Sequence, residues 1–114
     1  MIKKYLRKNE FRMDNNPKHF GYKKRPHPTY ITARYGHMYK ANSITHARTT
    51  NDGQLTFDIF ENPDKLSKDK NRKTRISPPF WQNEKLFGTA TLTNFRFSNK
   101  TRKQIKKYNK KFYK

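Results

Sequence analysis

The sequence predicts a small, mainly β fold: a strongly curved antiparallel sheet with a basic N-terminal arm and a C-terminal helix. Three observations lead there. Short β-rich runs divided by turn residues fill positions 29–97. The last segment changes to a helical spacing of apolar residues. The core-forming material is aromatic more than aliphatic, with 9 Phe, 7 Tyr and 1 Trp among 114 residues of which only 31% are hydrophobic. A chain of this length makes one domain, and that aromatic content separates it from disordered chains, which are poor in such residues.

Residues 1–28 read as an arm. Ile2, Tyr5 and Leu6 can start a short helix, but Asn15-Asn16-Pro17 ends any helical run, since proline lacks the amide hydrogen the helix needs. Residues 23–28 (KKRPHP) then run extended, because a residue before proline is biased out of the helical region. Residues 29–35 (TYITARY) and 38–46 (MYKANSITH) are β-rich. Gly36-His37 between them suits a two-residue hairpin with glycine first, which sets Thr29 opposite Ile44.

Asn51-Asp52-Gly53 is the next turn. It leads into residues 54–60 (QLTFDIF), where Leu55, Phe57 and Ile59 alternate with Thr56 and Asp58 as in a half-buried strand. A charged loop over 65–73 and a short strand over 74–77 follow, stopped by Pro78-Pro79. Phe80-Trp81 reads as an anchor packed over the sheet, with an exposed base-stacking pair as the alternative. Residues 86–97 have β character, and Gly88 marks a bulge or bend. From Ser98 or Asn99, Thr101, Ile105, Tyr108 and Phe112 fall on one narrow helical face. The expected division is therefore an arm over 1–28, a β domain over 29–97 and a helix over 98–114, the β domain being a small curved antiparallel sheet or an SH3-like barrel.

Charge points to a partner. Lys and Arg number 28 against 8 Asp and Glu, for a net charge of +20. The middle is nearly balanced: residues 1–28 carry net +7, residues 29–84 net +3, and residues 85–114 net +10 without one acid. Cationic ends repel themselves unless a polyanion neutralises them, and nucleic acid is the most economical one. Several classes are excluded or disfavoured. No run is long and apolar enough to span a membrane, and zero cysteines exclude disulfides, thiolate zinc sites and cysteine catalysis. No Gly-rich phosphate loop or zinc-helix motif occurs, so no cofactor is expected. Residues 1–28 lack an apolar leader, which makes the cytoplasm the expected compartment.

One chemistry needs neither metal nor many acids, namely RNA cleavage by its own 2′-hydroxyl. It requires a base, an acid and a cation at the phosphorane. Arg25 and His27 precede the first hairpin strand, while His46 and Arg48 end the second, so the hairpin's open end gathers Arg25, His27, Thr45, His46 and Arg48.

The runs RPHPTYI and NSITHAR in that hairpin resemble the core of MazF/PemK/Kid-type toxins, and also small basic proteins of Gram-positive mobile elements. The resemblance implies an SH3-like barrel and a ribonuclease site holding the Arg before Pro and the Thr of the second motif. Here those positions are Arg25 (or His27, before Pro28) and Thr45. If cleavage occurs, the expected roles are Arg25 stabilising the phosphorane, His27 or His46 serving as base or acid, and Thr45 positioning the phosphate; an acidic antitoxin is the candidate protein partner.

The expectation is a nucleic-acid-binding protein, RNA-directed, with metal-independent endoribonuclease activity as its sharper form. Lys23, Lys24, Arg25 and the helix lysines, Lys103, Lys106, Lys107 and Lys110 among them, are candidate phosphate contacts, and Arg48 joins them. Arg75, Tyr30, Tyr39, Phe80 and Trp81 are candidate base or sugar contacts. The rivals are a non-enzymatic RNA- or DNA-binding accessory protein and a cationic module that binds an acidic protein.

Overall fold

Two β-rich runs joined by Gly36-His37 fold back on each other as β3 (His27–Tyr35) and β4 (Met38–Thr45), the spine of the structure. Gly36 takes φ +58°, a conformation that costs glycine little, and Tyr35 pairs directly with Met38 across the turn. The computed structural model describes residues 9–20, 24–68 and 74–112, together with the backbone of residues 2–3.

Five more strands join this hairpin in one antiparallel sheet of seven: β1 (Ile2–Lys3), β2 (Phe11–Asp14), β5 (Phe57–Ile59), β6 (Thr74–Ile76) and β7 (Phe80–Asn83). β1 and β2 follow one another along the outer edge of β3. β7 and β6 do the same along the far edge of β4, and β5 lies beyond β6. Among the described residues the sheet stays open, so the curved sheet, and not the closed barrel, is the form the chain takes. One α-helix, α1 (Asn99–Asn109), follows the strands. No described helix is long and apolar enough to cross a membrane.

The hairpin register differs from expectation by one residue. Tyr35↔Met38, Arg34↔Tyr39 and Ala33↔Lys40 keep the turn's register, but Ile31 pairs with Ala41 and Thr29 with Ser43, not Ile44. Thr32 is the extra residue of a β-bulge, and its hydroxyl donates to the Lys40 carbonyl at 3.3 Å.

Cross-strand partners share a face, and alternate residues along a strand share one too. One face carries Phe11, Tyr30, Ile44, Ile59 and Ile76, and packs against Phe97, Ile105 and Tyr108. The other carries Ile31, Tyr39 and Ala41, covered by Phe87 and flanked by Phe80.

Several expectations change. The arm reading of residues 1–28 gives way where β1 and β2 join the sheet: Phe11 is wholly buried, and Ile2–Lys3 pairs with Tyr35 and Arg34 instead of starting a helix. Tyr5 and Leu6 lie outside the described residues. Lys24 takes φ +51° rather than extended backbone. In the 54–60 run only Phe57–Ile59 is strand, and its first turn is inverted, with Thr56 buried and Leu55 exposed. The reason is polar: Thr56 Oγ1 donates to the Ala47 carbonyl at 2.6 Å and accepts from Arg75 Nε at 2.6 Å.

The β-character run 86–97 forms no strand. It lies beside β2 through scattered bonds, Gly88 N to Met13 O at 2.8 Å and Leu92 N to Phe11 O at 2.8 Å, and so covers an edge that would otherwise be open. Pro78 and Pro79 interrupt β6 and β7, for they offer no ladder amides. Side chains hold the gap: Ser43 N donates to Ser77 Oγ at 2.9 Å, and Asn42 Nδ2 to the Ser77 carbonyl at 2.9 Å.

Candidate nucleic-acid interface

α1 begins at Ser98, whose hydroxyl accepts from the Thr101 amide. Thr101, Ile105, Tyr108 and Asn109 are its buried residues, as the spacing expects for the first three. Phe112 falls beyond α1 in a short 3-10 turn and is exposed, edge-on to Tyr108 with ring centres 5.1 Å apart. Phe57 stacks flat on Tyr108 at 4.5 Å.

Glu61 holds the N-terminal end of α1. Its carboxylate accepts from Ser98 N at 3.0 Å, from Ser98 Oγ at 2.9 Å, from Thr101 Oγ1 at 2.5 Å and from Lys65 Nζ at 3.0 Å. Burial alone would push this carboxyl up, but the bonds from Thr101, Ser98 and Lys65 prevail and hold it below its ordinary value. The negative charge also faces the positive end of the helix dipole.

With its inner face docked, α1 turns its lysines outward. Lys100, Lys103, Lys106 and Lys107, followed by Lys110 and Lys111, are all exposed, and no acidic residue occurs among positions 99–112. At 3.6 residues per turn the four on α1 lie within an arc of about 120°. The result is a continuous cationic stripe opposite the buried face.

A second cluster forms at the hairpin's open end. Asp14 pairs with His27, Thr45 with Arg75, and Arg75 with Asp58. Continuing the Thr29↔Ser43 register by two residues sets His27 across from Thr45, so one row of side chains crosses the sheet from Asp14 to Asp58. Burial lowers the His27 pKa, the Asp14 carboxylate pulls it up, and His46 adds to the lowering. His27, Thr45 and His46 are therefore brought together.

Asp14, which the sequence reading did not single out, is the buried centre of this end, with 0% exposure. It accepts from Asn16 N at 2.9 Å, from Gln82 Nε2 at 2.9 Å and from His19 Nδ1 at 2.6 Å. His19 in turn meets the Phe80 ring edge-on at 4.6 Å. The available signal was local: an Asp two residues before Asn16-Pro17 is a turn-forming side chain that accepts from the backbone ahead of it. Among the described residues, no group of three His, Cys, Asp or Glu is placed to hold a metal ion.

The other candidates fall as follows. Arg25 is exposed just ahead of β3, as is Lys24, and Lys23 lies outside the described residues. Arg48 is exposed in the loop after β4, and its carbonyl accepts from Thr56 N at 2.9 Å. Arg75 is committed to structure: Nη1 donates to Asp58 Oδ1 at 2.6 Å, Nη2 to the Thr56 carbonyl at 2.5 Å and Nε to Thr56 Oγ1. Tyr30 and Tyr39 are core residues, not base contacts. Phe80 is half-buried against Ile31, Tyr39, Ala41 and Phe87 as an anchor, while its neighbour Trp81 is exposed. No family model matches the chain, and neither a curated protein nor a solved structure matches it.

Proposed function

We propose that this protein binds RNA, with α1 as its principal phosphate contact. The observation that carries the reading is the lysine stripe: four exposed lysines on the outer face of α1 and two more in the 3-10 turn that continues it, no carboxylate among them, on a helix held by a buried opposite face. Like charges at such spacing destabilise a helix, and a polyphosphate relieves the repulsion by replacing counterions. An acidic protein would compete for the same lysines.

The test is a titration of labelled single-stranded RNA at salt from about 50 to about 200 mM. Affinity is expected to fall steeply with salt. A variant with Lys103, Lys106, Lys107 and Lys110 changed to Gln should bind more weakly and lose about 3 from the log–log slope, at ~0.7 per phosphate contact. Binding that ignores salt, or a slope untouched by the four changes, would remove the reading.

A second, sharper reading is metal-independent RNA cleavage, supported by the meeting of His27, His46 and the Asp14–His19 pair at one strand end. In that reaction one imidazole takes the 2′-hydroxyl proton and the 2′-oxygen bonds to phosphorus. The bond from phosphorus to the 5′-oxygen breaks as a second imidazole protonates the leaving oxygen, giving a 2′,3′-cyclic phosphate and a 5′-hydroxyl. The lowered pKa of His27 suits the base. RNA incubated in EDTA should yield fragments with cyclic phosphate ends, and His27→Ala should slow their release by about 10²–10⁴-fold. RNA that remains intact would leave binding without cleavage.

A further inference from the structure

Among the described residues, the sheet face on which α1 packs is covered at one end only. Asn42 and Asn109, both buried, exchange two side-chain hydrogen bonds of 2.9 and 3.0 Å, which pins the C-terminal end of α1 over Asn42 of β4. Lys40 is the next residue on that face towards the hairpin turn, and Met38 the one after, about 7 and 14 Å along the strand. Trp81 pairs with Lys40 and Tyr35 with Met38, so both rings belong to this same face. Both remain open to solvent, Trp81 at 37% and Tyr35 at 54% exposure.

The register is corroborated from the opposite side. Arg34 and Tyr39, the neighbours of Tyr35 and Lys40, point to the other face, where the Arg34 guanidinium lies 5.4 Å from the centre of the Tyr39 ring. Gln82, next to Trp81, also points there and reaches Asp14. Two exposed aromatic rings on β3 and β7, with the Lys40 side chain on the strand between them, therefore occupy the strip next to the lysine-rich end of α1. Lys106, Lys107, Lys110 and Lys111 are the exposed cations at that end.

The combination selects an occupant. An apolar protein surface would leave the lysines facing nothing of opposite charge, and a bare polyphosphate would leave the rings unused. Duplex RNA hides its base faces in the stack. A single strand offers both a line of phosphates and free base faces, and base-on-aromatic stacking tolerates any sequence. We propose that Trp81 and Tyr35, with Lys40 between them, form a stacking platform for unpaired bases of a single-stranded RNA whose phosphates follow the α1 lysines. The inference rests on the RNA-binding reading above.

Trp81 is the one tryptophan of the chain, so its emission reports on this strip alone. The full chain is titrated with an oligouridine of about 12 nucleotides, an abasic oligomer of equal charge and a duplex of equal length. Oligouridine is expected to quench the emission and to bind more tightly than the abasic strand. Trp81→Ala should weaken oligouridine binding about tenfold while leaving the salt slope unchanged, and Trp81→Phe should restore most of it. Tyr35→Ala, at the more exposed ring, reads the same platform if Trp81→Ala fails to fold. Oligouridine that binds without quenching, or no more tightly than the abasic strand, overturns the platform and leaves RNA binding intact. Failure of all three ligands to bind the folded chain overturns both.

Discussion

Glu61 supplies the anchor that a helix this cationic needs at its N-terminal end, where unpaired amides gather positive potential. Its oxygens meet the amide and hydroxyl of Ser98 and the hydroxyl of Thr101, so one carboxylate couples the end of β5 to the first turn of α1. Glu61→Gln keeps the shape and loses the charge, and should lower stability by about 1–3 kcal/mol, read as a lower urea midpoint with an unchanged slope. The acid dependence has a definite sign. Because the folded carboxyl titrates below the ordinary 4.5, its stabilisation is present above that value and is lost as pH falls through the folded pKa. His27 acts at higher pH: its folded pKa lies below the ordinary 6.5, so the unfolded chain takes up the proton first and stability declines as pH falls below that value. Glu61→Gln should flatten the lower limb of the stability–pH curve and leave the upper one, whereas His27→Gln should do the reverse. A wild-type curve that stays flat as pH falls below 6.5 would contradict the His27 assignment, and one that stays flat as pH falls below 4.5 the Glu61 assignment.

At the scale of elements, what was legible in the sequence was whatever a local rule governs. The Gly36-His37 turn, the Thr74–Ile76 strand ahead of two prolines and the docked face of α1 each follow from residue types at fixed spacing. What escaped depends on partners distant in the chain. β2 is four residues long and has Arg12 and Asp14 on its polar side, too short to show a period and too charged to look like core. Its place is earned by pairing with β3 and by the segment 86–92 lying along its outer edge. The bulge at Thr32 leaves no mark in composition, yet it changes the partner of every residue before it in β3, including His27. The candidate site was legible to the same degree. The meeting of His27, Thr45 and His46 follows from the hairpin alone, whereas Asp14 and His19 come from β2 and the turn after it, and Arg75, a candidate base or sugar contact by sequence, is held by Asp58 and Thr56. Asn109 was hidden for a related reason: a polar residue on the inner helix face is explained only by its distant partner Asn42.

For the whole molecule, the decisive quantity is a net charge of +20 on a small core shared between aromatic rings and isoleucines. Such a chain is pushed apart by its own field, and the unfolded state relieves the repulsion by expanding. Simple salt screens the field evenly and should raise the melting temperature gradually. A bound polyanion acts otherwise, because its phosphates gather along the α1 stripe, which exists as a stripe only while Ile105 and Tyr108 remain docked. Single-stranded RNA at about 100 times its dissociation constant should stabilise the fold by about 2.7 kcal/mol, a rise in melting temperature of about 10 °C, at an ionic strength where sodium chloride has little effect. The variant with Lys103, Lys106, Lys107 and Lys110 changed to Gln separates the two causes. It should melt at a temperature equal to or above that of the wild type without RNA, since repulsion along α1 is relieved, and should lose most of the RNA-induced rise. If RNA raises the melting temperature of both proteins equally, the +20 acts as a diffuse field and α1 is not where the polyanion sits.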